Sequence, residues 1–106
     1  MHPNAYSWFI FGIYYGYPLC CVKAFCDTGH LRRGKFDENY HPSQVEVANK
    51  DGGYFIPCIK CAEKVLSGQC TVQDLISNRF APKPYPSEEG NIDSWDGWKT
   101  LDNPYL

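Results

Sequence analysis

An almost uninterrupted apolar run near the N-terminus predicts the first element of the fold. From Ala5 to Tyr15 the side chains are apolar nearly all round, so hydrophobic periodicity does not distinguish a helix from a strand. The aromatic and β-branched content favours a strand. Asn4 is a suitable helix cap, and Gly16 followed by Pro18 is typical of a helix that stops before another begins. We therefore predict a helix that begins at Ala5 and ends at Gly16, with its aromatic side chains in the core.

Apolar positions at helical spacing, bounded by start and stop residues, predict three further helices. Pro18 suits the first turn of one, and Gly29 and Gly68 are typical of positions where a helix ends. Thr71 and Asp74 form an acidic variant of the capping box, which marks a helix start. The predicted spans are residues 19–28, 59–67 and 71–79.

A short alternating stretch in the middle of the chain predicts a β-hairpin. Residues 44–48 alternate between polar and apolar side chains, residues 49–53 are rich in turn formers, and residues 54–57 read as a returning strand. The expected fold class is therefore α+β, a small single domain that is rich in helix and contains one short hairpin.

Length and charge divide the chain into a body and an acidic tail. The 106 residues suffice for one modest core, and a 43% hydrophobic and 16% aromatic composition argues against disorder. The net charge of −2 gives no overall electrostatic footprint for nucleic acid. Residues 1–83 carry nine basic and seven acidic residues, or +2, whereas residues 84–106 carry one lysine and five acids, or −4. We predict a globular domain over residues 1–83 and a tail over residues 84–106, docked through its aromatic side chains on the body or on a partner.

One short basic loop is a candidate nucleic-acid contact. Arg32, Arg33 and Lys35 stand close together between glycines, but Asp37 and Glu38 offset their charge. A solvated loop explains such a run without a partner. A small nucleic-acid-binding zinc module is nevertheless one of the three functions that we consider for this chain.

The cysteine content indicates a metal site in a reducing compartment. The first residues carry no basic signal-peptide region, no small-residue cleavage site follows, and the N-terminal apolar run is too short to span a membrane. These features predict the host cytoplasm or a virion rather than secretion, and in such compartments clustered cysteines more often bind metal than form disulfides. Cys58 and Cys61 form a Cys-x-x-Cys pair, which is half of a zinc site.

The rest of a tetrahedral zinc site must come from elsewhere in the chain. We rank Cys20 and Cys21 first, because this pair also stands at a predicted helix start, where thiolate is favoured. Adjacent cysteines approach one ion only if the first turn is loose or if Cys20 lies at its edge. The alternates are His30 and Cys26, and His41 and Cys70 are expected to be bystanders.

A thiol-disulfide oxidoreductase that uses Cys58 and Cys61 is the second alternative. A Cys-x-x-Cys at a helix start is also the geometry of a redox active site, but the thioredoxin-like βαβ pattern is missing from the sequence. Signatures of phosphate loops, nucleophile elbows and zinc proteases are missing too. The sequence therefore favours a non-enzymatic protein.

Three segments resemble a group of small uncharacterised proteins of phages and large DNA viruses. The segments are Tyr-Gly-Tyr-Pro-Leu-Cys-Cys-Val at 15–22, Phe-Ile-Pro-Cys-Ile-Lys-Cys-Ala at 55–62 and Asp-Leu-Ile-Ser-Asn-Arg at 74–79. That group carries Cys-x-x-Cys or Cys-x-x-His in the second segment, and a position that accepts either residue suits a zinc ligand. The resemblance covers residues 14–80 and implies a Zn²⁺-binding viral protein, either a virion component or a host-directed factor. The preferred function is thus a non-enzymatic viral structural or interaction protein with a protein partner.

Overall fold

The fold is all-α throughout the part of the chain that the computed structural model describes. That part comprises residues 5–28, 40–50, 55–76, 80 and 92–105. Its α-helices are α1 (Ala5–Tyr15), α2 (Leu19–Thr28), α3 (Pro42–Lys50), α4 (Ile59–Leu66) and α5 (Val72–Leu75), and two 3₁₀ helices span Ile92–Ser94 and Gly97–Thr100. None of these helices has the length and apolar character needed to cross a bilayer.

A tight corner joins α1 to α2 and fixes where α2 starts. Gly16 has a φ of 83°, the left-handed conformation that ends many helices. Its amide and that of Tyr17 donate to the carbonyl of Gly12, both at 3.1 Å. Pro18 then accepts from the amides of Cys21 and Val22 at 3.0 Å, which starts α2. The predicted helices at the N-terminus and over residues 19–28 are both confirmed.

Close packing of α1 on α2 builds the first core cluster. A Cβ atom at Gly12 would lie 2.7 Å from one Val22 methyl carbon and 2.8 Å from the other, so only glycine permits this approach. The buried residues of the cluster are Ala5, Phe9, Ile13, Val22 and Cys26. Because α1 is apolar nearly all round, burying one side of it leaves further apolar side chains at the surface.

The predicted hairpin is wrong, because its first strand belongs to α3 and its second has no regular secondary structure. Residues 44–48 lie inside Pro42–Lys50, and residues 55–57 are irregular. The amide of His41 donates to Gln44 Oε1 at 2.9 Å, so the Gln44 side chain reaches back to the helix start as in a capping box. Ser43 and Val47 are both buried at a spacing of four residues, which is helical. The α+β class is therefore corrected to all-α, and residues 51–54 of the predicted turn and strand lie outside the described part.

Two predicted helices in the second half form with shorter bounds. Helix α4 ends at Leu66 with Ser67 as its cap, one residue before the predicted end, and Gly68 has the expected φ of 83°. The capping box before α5 is confirmed, with Thr71 N to Asp74 Oδ2 at 2.8 Å and Asp74 N to Thr71 Oγ1 at 3.1 Å. Helix α5 stops at Leu75, because Ile76 is extended, with a φ of −102° and a ψ of 124°. Residues 77–79 of the predicted helix lie outside the described part.

The C-terminal segment over residues 92–105 packs back onto α1 and α2. Trp95 contacts Tyr14 with ring centroids 5.4 Å apart. Asn103 is 7% exposed, and its side-chain amide donates to the carbonyl of Tyr6 at 3.0 Å. The hydroxyl of Tyr105 donates to Asp27 on α2. Trp95 and Tyr105 thus contact α1 and α2, while the predicted division into residues 1–83 and 84–106 stays a prediction.

Candidate metal centre

Four cysteine sulfurs converge on one point between α2 and α4. The Sγ atoms of Cys20, Cys21, Cys58 and Cys61 all lie within 4.8 Å of one another. Cys20 Sγ is 3.6 Å from that of Cys61, 3.8 Å from that of Cys58 and 4.0 Å from that of Cys21. A tetrahedron of sulfurs about 2.3 Å from a zinc ion has edges of about 3.8 Å. The cluster therefore has the size of a site for one ion.

Two helix starts position the four side chains. Cys20 and Cys21 are the second and third residues of α2, while Cys58 is the N-cap residue of α4 and Cys61 lies in its first turn. Unpaired amides and the helix dipole make both starts electropositive, which favours thiolate over thiol. Both pairs predicted to stand at helix starts therefore do so.

The adjacent pair fits because its members lie at different depths. Cys21 is 2% exposed and faces the core, whereas Cys20 is exposed at the edge of the first turn. The amide of Cys58 donates to Cys21 Sγ at 3.3 Å. Hydrogen bonds of this kind offset negative charge on a metal-bound sulfur and orient it.

The protonation of the cluster depends on burial and on hydrogen bonds between its members. Burial raises the pKa of Cys21 well above its ordinary range and raises that of Cys61 to about 12. Burial acts in the same direction on Cys58, but hydrogen bonds from the Cys61 amide and the neighbouring thiols outweigh it, so the pKa of Cys58 is lowered. Without a metal Cys21 and Cys61 therefore keep their protons at neutral pH, and a bound cation must displace them.

The remaining candidate ligands stand apart from the cluster. Cys26 is buried in the first core cluster, where its thiol donates to the carbonyl of Ala5 at 3.6 Å. His41 is exposed, and its Nδ1 atom lies 2.8 Å from the Ser43 hydroxyl. Cys70 is half-buried and outside the group, and none of the six cysteines, all within the described part, is in a disulfide.

Two groups of candidates cannot be placed in this way. The alternate ligand His30 lies outside the described residues, as do the basic residues Arg32, Arg33 and Lys35. The nucleic-acid alternative, which depends on the basic residues, stays a prediction.

A second core cluster packs around the cysteines. The spacing of the cysteines in the sequence does not by itself predict this cluster. Its buried members are Cys21, Phe55, Cys61 and Ile76. Tyr17 stacks on Phe55 with ring centroids 5.0 Å apart and an interplanar angle of 26°. Each ring stands three residues before a cysteine pair, at Tyr-Pro-Leu-Cys-Cys and Phe-Ile-Pro-Cys, and this shared spacing is the signal that links both rings to the site. The same packing that buries the rings therefore brings the two pairs together.

Comparison with known proteins adds no further assignment. No protein-family model, curated protein or solved structure matches the chain. Fold and site alone define its class, a small all-α domain with a cysteine cluster that is able to hold a metal ion. The resemblance to small viral proteins stays a prediction.

Proposed function

We propose that the protein is a non-enzymatic viral structural or interaction protein whose fold is stapled by one zinc ion on Cys20, Cys21, Cys58 and Cys61. The observation that carries this proposal is the convergence of four sulfurs within 4.8 Å of one another. Four thiolates complete the coordination of zinc and leave no open position for a substrate or for activated water. Such a site stabilises a fold and takes no part in a reaction.

The proposed zinc ion would link two parts of the chain that lie far apart in sequence. Cys20 and Cys61 are 41 residues apart, and a shared ion would fix the start of α2 to the start of α4. A domain of this size buries a modest core, so a metal contributes a large share of its folding free energy. The viral source is supported by the sequence resemblance, and a host cytoplasm or virion would keep the thiols reduced.

Metal content and thermal unfolding of single-cysteine variants test the proposal. The purified protein should contain about one zinc per chain, and removing it with a chelator should lower the unfolding midpoint. Cys58→Ser should lose the zinc and show the same low midpoint with or without added zinc. Cys70→Ser is the matched control, because Cys70 lies outside the cluster. This variant should keep its zinc and its unfolding midpoint. A protein that folds equally well without metal, or a Cys58→Ser variant that retains full zinc, would overturn the proposal.

A thiol-disulfide oxidoreductase remains the second candidate because of the opposite pKa shifts within one pair. Cys58 has a lowered pKa at a helix start, and Cys61, three residues on, is buried with a raised pKa. A reactive thiolate followed by a protected resolving thiol has this arrangement. Reduction of insulin disulfides by the protein at neutral pH, lost in Cys58→Ala, would favour this candidate. Inertness of the zinc-loaded protein in the same assay would favour the staple.

A further inference from the structure

The four clustered cysteines differ in how far solvent reaches them, and two of them form an accessible edge of the cluster. Cys20 is exposed and Cys58 is half-buried, and their sulfurs lie 3.8 Å apart. The other two members, Cys21 and Cys61, are only 2% and 5% exposed. A small reagent in solution therefore reaches the cluster first at the edge that Cys20 and Cys58 form.

The two buried cysteines are held by the core and are poor partners for a new bond. Cys21 and Cys61 belong to the second core cluster, and Cys21 Sγ also accepts from the amide of Cys58. A disulfide requires its two sulfurs to approach to bonding distance. Cys61 Sγ is the closer to Cys20, at 3.6 Å, but its approach would pull a buried side chain out of the core. Cys58 is the N-cap residue of α4 and is only half-buried, so its sulfur moves with less disturbance.

We infer that the edge formed by Cys20 and Cys58 is an oxidation site for small hydroperoxides, at which the two thiolates join in a disulfide and the zinc ion is released. The inference rests on the proposed zinc staple. It differs from the oxidoreductase candidate in the pair of sulfurs that becomes oxidised, because that candidate joins Cys58 to Cys61.

Hydrogen peroxide, the simplest hydroperoxide, supplies the oxidising equivalents. A cysteine that binds metal is a thiolate, which is also the form that peroxides oxidise. The Cys20 thiolate attacks one peroxide oxygen, the O–O bond breaks, and a sulfenic acid forms while hydroxide leaves. The Cys58 thiolate then attacks the sulfenic sulfur, the S–O bond breaks, and a second hydroxide leaves as the S–S bond forms. The two sulfurs lose two electrons to the two peroxide oxygens, and the two thiolates that remain are too few to hold zinc.

The disulfide would preserve the link that the zinc ion makes. Cys20 and Cys58 are 38 residues apart and stand at the starts of α2 and α4, so their disulfide joins the same two helix starts. A bond between Cys58 and Cys61 would instead connect two residues at one end of α4 and leave α2 unattached. The protein would thus stay cross-linked outside a reducing compartment, where disulfides persist.

Peroxide titration of the zinc-loaded full-length protein, followed by alkylation of free thiols and tryptic peptide mapping, tests the inference. Cleavage after Lys60 separates Cys58 from Cys61, and Cys20 falls in a third peptide, over residues 1–23. Each peroxide consumed should release one zinc ion and remove two thiols. The disulfide should join the peptide of Cys20 to the peptide of Cys58, and fragmentation in the mass spectrometer should place it on Cys20 and not on its neighbour.

Matched variants and thermal unfolding extend the test. Cys70→Ser alters a half-buried cysteine outside the cluster and should leave the zinc release and the cross-link unchanged. Cys20→Ser should abolish the cross-link between the two helix starts. After oxidation and removal of zinc by a chelator, the unfolding midpoint should exceed that of the reduced metal-free protein by about 10 °C. Dithiothreitol should remove this difference.

Zinc content, measured before oxidation, separates failure of the staple from failure of the inference. A zinc-loaded protein whose disulfide joins Cys61 to either Cys20 or Cys58 would overturn the inference and leave the staple in place. Zinc that stays bound under excess peroxide, or that leaves without a disulfide, would do the same. A chain purified without zinc that still forms the Cys20–Cys58 disulfide would overturn the staple and support the oxidation site.

Discussion

Cys21 and Cys61 are the least exposed of the four clustered cysteines, at 2% and 5%, and this burial gives the metal-free protein a definite response to pH. In the folded state burial raises the pKa of Cys21 far above 9.0 and that of Cys61 to about 12. In the unfolded chain both thiols lose their protons near their ordinary pKa of 9.0. Their contribution to stability is therefore complete below pH 9.0 and is lost as pH rises towards the folded pKa values.

We expect opposite pH responses from the metal-free and zinc-loaded proteins. The unfolding midpoint of the metal-free protein should fall above pH 9.0, because two raised thiol pKa values outweigh the smaller lowering at Cys58. The zinc-loaded protein should instead gain stability between about pH 5 and pH 8, because zinc must displace thiol protons. The raised pKa of Tyr105, caused by burial and by Asp27, affects both forms alike, so the difference between them reports on the cysteines. Equal pH profiles with and without zinc would contradict this account.

The sequence allowed prediction of those residues whose role follows from their own chemistry or backbone conformation. Gly16 and Gly68 both have the positive φ expected of residues that end helices, and Thr71 caps α5 as predicted. The four cysteines that converge are the four ranked first, because thiols at two helix starts are chemically distinctive. The Cys58 amide that donates to Cys21 Sγ could not be foreseen, since it depends on how two distant segments pack.

At the scale of single elements, contact between α1 and α2 depends on the missing side chain at Gly12. Gly12→Ala should gain up to about 1 kcal/mol in helix propensity but lose about 1–3 kcal/mol by overpacking against Val22. We expect net destabilisation of about 1 kcal/mol, or a midpoint lowered by about 4–8 °C for a domain of this size. Chemical denaturation and calorimetry would measure both quantities.

A double-mutant cycle isolates the cause of this effect. In a Val22→Ala background the two methyl carbons nearest position 12 are gone, so Gly12→Ala should be neutral or stabilising. An equal loss of stability in both backgrounds would show that the Gly12 effect has another origin.

Helix α3 was wrongly predicted as a strand because its hydrophobic pattern has little periodic signal. The alternation over residues 44–48 is too short to separate a strand from a helix, and contacts across α3 decide the matter. Val47 is completely buried, and Gln44 Nε2 donates to the Pro57 carbonyl at 2.8 Å, which ties α3 to the segment before the second cysteine pair. Long elements with clear stops, such as α2, were predictable because start and stop signals agreed with hydrophobic pattern.

At the scale of the whole molecule, one hydrogen bond links the C-terminal segment to α1, between residues that are 97 positions apart. The side chain of Asn103 donates to the carbonyl of Tyr6 and accepts from the amide of Tyr105 at 2.9 Å. Asn103→Ala should destabilise the protein by about 1 kcal/mol, because it leaves the partly buried carbonyl of Tyr6 and amide of Tyr105 without their partner. The exposed neighbour supplies the control, and Asp102→Ala should change stability by less than about 0.5 kcal/mol. Equal effects of the two substitutions, measured by urea denaturation, would mean that the C-terminal segment is not held by this bond.

The most direct test of the central claim is zinc K-edge X-ray absorption of the full-length zinc-loaded protein. Convergence of Cys20, Cys21, Cys58 and Cys61 leads us to expect a single shell of four sulfur atoms at about 2.3 Å from the zinc. A shell that contains nitrogen at about 2.0–2.1 Å would mean that a histidine such as His30 binds the zinc in place of one cysteine, and it would contradict the four-cysteine site. A folded protein that retains no zinc to measure would contradict the staple itself.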